Sequence, residues 1–507
     1  MKYLLAHDLG TSGNKATLYN TDGQLVKSIT YGYDLKVSNG NWAEQNPFDW
    51  WRAVCESTKA LTEVVAASDI AAVSFSGQMM GCVCVDKNGE PLRDAMIWAD
   101  MRSTEQEKKL RANIGEKEFY NITGHRISSS YSATKLMWVR DNQPEIYART
   151  AKMLNAKDFI ILKLTGKMVT EPSDASATCL MDLCSKKWSD TVIDACGLDK
   201  SKLPDIIRSI DVAGVVTDEA ASACGLLSGT PVVCGGGDGV CAAVGTGAVA
   251  EGRAYLCLGT SSWISYASKK PVCDEKMTNF NFAHIVPGLV TPCGTMQCGG
   301  GSLSWAVDNL CKFDRGNMSK EEKSQLYAKV CEAVEASPVG AKGLLFLPYL
   351  LGERSPRWNE KAKGSFVGLT LEHGTGDMLR AVMEGVAMNL SLILDVYRNE
   401  GAKIDDLVLI GGGARSPVWR QILADALGVS IQMPNFLEEA TSMGAAITAG
   451  VGVGAFDDFN VIDRFLTTEK VYAMNKENNE KYNILKKNFD ECYFALEKTF
   501  DLLYNVS

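Results

Sequence analysis

The sequence predicts an α/β chain built from two related domains. Three observations predict it: a strand, Gly/Thr/Ser turn and strand unit that occurs twice; alternating strand and helix patterns between and after the copies; and two strands that each run into a glycine triplet and then a helix.

The first copy opens the chain. Residues 3–8 (YLLAHD) are an apolar run ending in a carboxylate. Gly10-Thr11-Ser12-Gly13 follows as a turn, then Lys15-Ala16-Thr17-Leu18-Tyr19 as a second strand and Asp22-Gly23 as a hairpin turn. The second copy is Ala254-Tyr255-Leu256-Cys257-Leu258, then Gly259-Thr260-Ser261-Ser262, then Trp263-Ile264-Ser265-Tyr266. The two start about 250 residues apart in a chain of 507, which indicates domain duplication rather than a short repeat. The division is expected near residue 253, giving domains 1–253 and 254–507. Between the copies, residues 48–67 read as a helix and residues 71–76 and 82–85 as strands. In the second half, strand 407–410 precedes helices 416–427 and 441–449, and residues 476–503 read as a charged amphipathic helix.

Composition narrows the classes. A net charge of -9 without a dense Lys/Arg block argues against nucleic acid and anionic membranes. Asp8 interrupts the N-terminal apolar run, no cleavage pattern follows it, and the other apolar runs are too short to span a bilayer. A cytoplasmic protein is expected. The 16 cysteines contain no Cys-x-x-Cys pair and the four histidines are far apart, so buried reduced thiols are expected rather than disulfides or a zinc site.

Four motifs carry chemistry. Asp8-Leu9-Gly10-Thr11-Ser12 sets a carboxylate at a strand end, where it can hold a hydrated Mg²⁺, before N–H and hydroxyl groups that can receive phosphate oxygens; Lys15 adds a nearby cation. Gly259-Thr260-Ser261 repeats the hairpin, and two facing copies would grip a polyphosphate from both sides, as in actin-type ATPases. Val232-Val233-Cys234-Gly235-Gly236-Gly237-Asp238-Gly239 puts Asp238 at a helix N-terminus, where ionisation and a general-base role are expected. Leu409-Ile410-Gly411-Gly412-Gly413-Ala414-Arg415 is either a glycine platform suited to a purine or a tight strand–helix turn, and spacing alone does not choose between them. A Pro-bounded turn at residues 346–356 is either a cleft wall or a plain surface turn. Gly237-x-Gly239-x-x-Ala242 also fits a loose dinucleotide fingerprint, but no acidic residue ends the next strand.

Taken together, these residues resemble the FGGY carbohydrate kinases, closest to the xylulokinase branch. Ser130-Tyr131-Ser132-Ala133-Thr134-Lys135-Leu136-Met137-Trp138 is similar to the family's first signature, and Gly364-Ser365-Phe366-Val367-Gly368-Leu369, with Asp377-Met378 and Ala381-Val382-Met383-Glu384 after it, to the second. Trp42–Pro47, Trp98-Ala99-Asp100-Met101-Arg102 and Pro172-Ser173-Asp174-Ala175-Ser176 also stand in family order. The resemblance implies two ribonuclease-H-like (actin-like ATPase) domains with a deep cleft between them. It implies ATP and Mg²⁺, with Asp238 as base and Asp8 as the metal-side carboxylate. Gln78, Met79, Met80, Asp100, Arg102 and Asp238 then fall at sugar-binding positions. Gly10, Thr11, Ser12, Lys15, Gly259, Thr260, Ser261, Gly300, Gly412, Gly413, Ala414 and Arg415 fall at nucleotide-binding positions.

The family's xylulokinases read Gln-Met-His-Gly where this chain has Gln78-Met79-Met80-Gly81, and Asn where it has Gly239. Both changes remove polar groups from the implied pocket. The expected activity is phosphorylation of a small sugar, a ketopentose such as xylulose first, with another ketose, a polyol or an aldonate as alternatives. An actin- or Hsp70-like ATPase and an inactive sugar sensor are the readings of another class. A homodimer is compatible with all of them.

Overall fold

Residues 2–311 and 315–505 are described by the computed structural model. The strand Tyr3–Leu9 (β1) is apolar at nearly every position because both of its faces are covered. Leu5 and Leu9 point into one core and Leu4 and Ala6 into another. β1 pairs antiparallel with Gly13–Asn20 (β2), which pairs antiparallel with Leu25–Gly32 (β3). On its other side β1 runs parallel to Ile70–Gly77 (β4). Val212–Val215 (β5), Pro231–Val233 (β6) and the short Gly236–Gly237 (β7) complete a sheet ordered β5–β6–β4–β1–β2–β3, with β7 also on β4.

β7 runs directly into the helix Asp238–Gly245 (α1). The second sheet then begins with Ala254–Leu258 (β8), Ser262–Tyr266 (β9), Phe280–Ala283 (β10) and Val290–Met296 (β11). The helices Gly300–Leu310 (α2) and Thr375–Asn399 (α3) follow, then Asp406–Ile410 (β12), Pro417–Leu427 (α4), Ser430–Pro434 (β13), Ala440–Gly452 (α5) and Thr468–Tyr472 (β14). The order is β10–β11–β9–β8–β12–β13–β14. Three antiparallel strands followed by two parallel ones, β3–β2–β1–β4–β6, recur as β11–β9–β8–β12–β13. The repeated turn in the sequence is therefore the visible part of a repeated sheet.

The two sheets share a pair of helices. In the second sheet Leu256, Leu258, Leu407 and Leu409 face α3, while Tyr255, Cys257, Val408 and Ile410 face α1. In α1, Ala242 and Ala243 join that second-sheet cluster, whereas Val240, Cys241 and Val244 join Leu4, Ala6, Ala72 and Val233 of the first sheet. α5 comes from the second half of the sequence but packs Met443, Ala445, Ile447 and Ala449 on the first sheet. The helices touch through glycine. A Cβ on Gly444 would lie 2.0 Å from the Cys241 carbonyl oxygen, and one on Gly245 1.9 Å from that of Ala440.

This topology also disposes of the dinucleotide fingerprint. The strand after α1 belongs to the other sheet, so Gly237 and Gly239 do not open a βαβ unit. The helix expected over 48–67 is Pro47–Thr62, capped by the Asn46 side chain; the Glu63 N–H bonds back to Leu61 and Lys59, and Ala67–Asp69 forms a separate short turn. The C-terminal helix Lys476–Tyr504 buries Tyr482, Phe489, Tyr493 and Phe500 along one face. All 16 cysteines are free and most are buried; Cys82 and Cys84 share a strand face, their sulfurs 3.9 Å apart. Among the described residues no helix is long and apolar enough to cross a membrane.

Because no side chain fits where α1 meets α5, Gly444→Ala is predicted to destabilise the protein by about 1–3 kcal/mol, as overpacking does. Urea unfolding measures it, and an unchanged midpoint would contradict the contact.

Candidate functional site

The sequence-selected loops cluster where strands end and the paired helices begin. β1, β4 and β7 are parallel and deliver Asp8, Gln78 and Asp238 to the same edge of the first sheet. β8 and β12 are parallel and deliver residues 259–261 and 411–415 to the matching edge of the second. Open α/β sheets bind ligands at this carboxyl edge.

The segment 437–441 joins the two edges. Thr441 Oγ1 donates to Asp8 Oδ2 at 2.7 Å, and Ser76 Oγ donates to Asp8 Oδ1 at 2.8 Å. Lys15 Nζ donates to the Glu438 carbonyl at 2.9 Å and approaches Glu439 Oε1 at 3.4 Å. Arg415 pairs with the Glu438 carboxylate. The Gly411 N–H donates to the Leu437 carbonyl at 3.1 Å. Both cations expected near phosphate are thus tied to this acidic segment.

Asp238 is the first residue of α1. Its Oδ1 accepts the Gly239 N–H at 2.7 Å, and the Tyr255 hydroxyl donates to the Gly239 carbonyl at 2.7 Å. Burial, and then the neighbouring Asp8 charge, push the Asp238 carboxyl up to about 7. The expectation that a helix N-terminus favours the ionised form is corrected here: desolvation and a like charge outweigh it. Burial also raises the Asp8 carboxyl, against the Thr441 and Ser76 hydroxyls and Lys15, which lower it. The glycines before Asp238 are sterically required. Gly235 has φ +77°, and a Cβ there would sit 2.0 Å from the Phe75 carbonyl oxygen; one on Gly237 would meet the Met79 sulfur at 2.5 Å.

Gln78 and Met79 are buried beside this loop. Gln78 Nε2 donates to Gln45 Oε1 at 2.8 Å, and its own Oε1 is buried with no hydrogen-bond partner. Met80 has φ +64°, and its carbonyl accepts from Lys135 Nζ at 2.9 Å. Asp100 and Arg102 are brought together with each other. Asp100 takes Arg102 Nε at 2.9 Å and the Ala43 N–H at 2.7 Å, while Arg102 also meets Glu44 at 2.8 Å and lies 3.7 Å over the Trp42 ring. That pair is buried, and in this structure the Asp100 carboxylate is occupied by protein groups.

In the second sheet the turn Gly259-Thr260-Ser261 leaves Thr260 exposed, and its carbonyls are held by the start of α2: the Gly300 N–H donates to Gly259 at 2.7 Å and the Gly299 N–H to Thr260 at 2.9 Å. A Cβ on Gly300 would stand 2.6 Å from the Gly259 oxygen. Gly411 and Gly413 pack on Leu258 and Ala414 is buried, whereas Gly412 is exposed with nothing within 4 Å of its Cβ position. In the Pro-bounded turn Glu353 is buried, accepting the Gln297 N–H at 2.7 Å and the Arg354 N–H at 2.8 Å, and burial pushes its carboxyl up to about 8.

Sequence reasoning missed Thr441, Ser76, Tyr255 and the structural part of Lys135. A hydroxyl in a helix's first turn carries no sign of a carboxylate more than four hundred residues away.

The profile of the FGGY family of carbohydrate kinases matches over both of its parts, the N-terminal domain at residues 3–245 and the C-terminal domain at residues 254–453. The xylulose kinase of Bacillus subtilis (strain 168) is 33% identical over 490 residues, 96% of this chain and 95% of that protein. A gluconokinase of Bacillus licheniformis is 31% identical over 490 residues, 95% and 94% of the two chains. The ligand-bound xylulose kinase structure from Lactobacillus acidophilus superposes with a TM-score of 0.92 at 28% identity, covering 99% of this chain and 100% of that one.

The buried pair gives a direct test. Arg102→Ala leaves Asp100 buried without its cation and is predicted to cost about 3–5 kcal/mol in urea unfolding. Wild-type stability in that variant would mean that Arg102 is not structural.

Proposed function

Since this chain belongs to the FGGY family of carbohydrate kinases, and so transfers a phosphoryl group to a sugar hydroxyl, we propose that it uses ATP to phosphorylate a ketopentose such as xylulose, with Asp238 as general base. One observation carries the reading: a half-buried carboxyl, poised near neutrality, stands beside the Gln78–Met79 loop at the edge where both sheets deliver their glycine turns.

On this reading the sugar sits against Gln78, Met79 and Met80. The orphaned Gln78 Oε1 can accept a hydroxyl proton there. Asp238 accepts the proton of the attacking hydroxyl, and a carboxyl titrating near neutrality suits that task. The N–H and hydroxyl groups of Gly10, Thr11 and Ser12, and of Gly259, Thr260 and Ser261, receive phosphate oxygens, with Gly300 fixing the second turn. Lys15 and Arg415, released from Glu438 and Glu439, would add positive charge. The open face at Gly412, with Gly413 and Ala414 beneath it, receives the purine. Asp8, between two hydroxyls, is a hard-oxygen donor set that fits Mg²⁺ with phosphate and water filling the other positions. Bound there, Mg²⁺ would supply positive charge at the transferring phosphoryl group. Closure of the two sheets' loops would exclude water. The enzyme is proposed to work in the cytoplasm.

The gluconokinase similarity keeps an aldonate as the second reading. An aldonate carboxylate asks for a free cation, whereas Arg102 is paired with Asp100 and Glu44, and Lys135 is committed to the Met80 and Ser130 carbonyls. A neutral ketose suits this lining better. ADP release measured across pentuloses, polyols and gluconate tests it. The highest kcat/KM is expected for a ketopentose, and a higher value for gluconate would transfer the assignment to the aldonate. ADP release that no sugar stimulates would favour the partner-moving ATPase, and sugar binding without ADP release would favour the inactive sensor.

Asp238→Asn is predicted to lower kcat by ~10²–10⁴ while nucleotide still binds. The same variant has a stability signature. A folded-state value near 7, above the ordinary carboxyl value, means that folding favours the protonated form; stability is lost as pH rises from about 4 through about 7. In magnesium-free buffer Asp238→Asn should therefore raise Tm at pH 8 and leave it little changed at pH 4. A lower Tm at pH 8 would refute the assigned ionisation.

A further inference from the structure

The short helix Pro172–Ala177 lies behind the Asp238 loop, and its first turn is built around one hydroxyl. Ser173 Oγ donates to Glu171 Oε1 at 2.5 Å and accepts the Gly237 N–H at 2.9 Å. A hydroxyl has a single proton, so its commitment to Glu171 leaves a lone pair for the amide immediately before Asp238. Glu171 is fixed in turn. Its two oxygens also take the Asp174 and Ser173 N–H groups at 2.9 Å each and the Ser209 hydroxyl at 2.7 Å.

Beneath it lies Lys157, fully buried, 2.7 Å from Asp158, 3.0 Å from Asp174 and 3.5 Å from Glu171. Burial would depress this ammonium, but Asp158, Asp174 and Glu171 hold it well above the ordinary lysine value. From the same helix Ser176 accepts the Ala283 N–H at 3.1 Å, anchoring it to β10 of the second sheet. The result is a buried support whose Ser173 hydroxyl reaches the peptide immediately before Asp238.

We propose that Ser173, oriented by Glu171 and Lys157, is a positioning residue that sets where the Asp238 carboxylate stands. The inference rests on Asp238 being the base. The Gly237 peptide has no side chain of its own to steady it, and neighbouring atoms crowd it on the Met79 side. Removing the hydroxyl leaves the buried Gly237 N–H without its partner and lets this end of β7 shift, and misplacing a reacting group by ~1 Å costs ~10²-fold.

The experiment compares Ser173→Ala, Ser173→Thr and Asp238→Asn in the full chain, reading kcat, sugar KM, ADP affinity and Tm. Ser173→Ala is expected to lower kcat by ~10–10²-fold while sugar KM and ADP affinity stay within about threefold. Ser173→Thr keeps the hydroxyl and is expected to retain kcat within about threefold, even if its extra methyl lowers Tm. A merely structural residue would make activity follow Tm; a positioning residue makes it follow the hydroxyl. If Asp238→Asn is inactive while Ser173→Ala keeps wild-type kcat, this inference alone is overturned. If Asp238→Asn keeps turnover, the base assignment falls with it.

Discussion

The architecture depends on the glycine contact between α1 and α5. Both helices begin at the edge where the candidate site lies, and each lies against parts of both sheets. Gly444 and Gly245 let their backbones meet without intervening side chains. That closeness brings residues 437–441 to the first sheet, so that Thr441 reaches Asp8 and Glu438 reaches Lys15. The same segment holds Gly411 and Arg415. Motion of one sheet relative to the other would therefore disturb hydrogen bonds that also hold the proposed metal and phosphate groups.

This arrangement explains the charge balance. Along this edge Lys15 meets Glu438, Glu439 and the Asp8 charge, Arg415 meets Glu438, and Asp238 stands beside Asp8. Burial raises both aspartate carboxyls, and the Asp8 charge adds to the rise at Asp238. A polyanionic nucleotide with its cation would reorganise these pairings, since Lys15 and Arg415 can leave their glutamates for phosphate at little cost on a solvated edge.

Much of the fold was legible because it rests on local rules. Apolar runs of strand length, a turn repeated in each half and glycine triplets before helices mark β1, β8, β12 and α1 from sequence. The repeat is confirmed by matching strand orders in the two sheets. What sequence could not reveal is long-range: α5 lying on the first sheet, Thr441 on Asp8, and Ser173 under Gly237 each join residues far apart in the chain. The candidate site shows the same division. Asp8, Gln78 and Asp238 stand out by position and share one edge, but Asp100 and Arg102 look identical in sequence whether they face a ligand or each other. Only the fold reveals their buried pairing with Glu44 and Trp42. The sign of the Asp238 shift was likewise hidden, because burial and the Asp8 neighbour are properties of the assembled sheets.

The central claim is that two glycine-bearing turns, one from each sheet, share a nucleotide while a single aspartate faces the acceptor hydroxyl. A crystal structure with a non-hydrolysable ATP analogue, Mg²⁺ and the best sugar of the panel tests it most directly. The account predicts phosphates bonded to both the 10–12 and the 259–261 turns, and a sugar hydroxyl within hydrogen-bond reach of Asp238. Phosphates held by one turn alone, or a sugar whose nearest carboxylate is not Asp238, would contradict it.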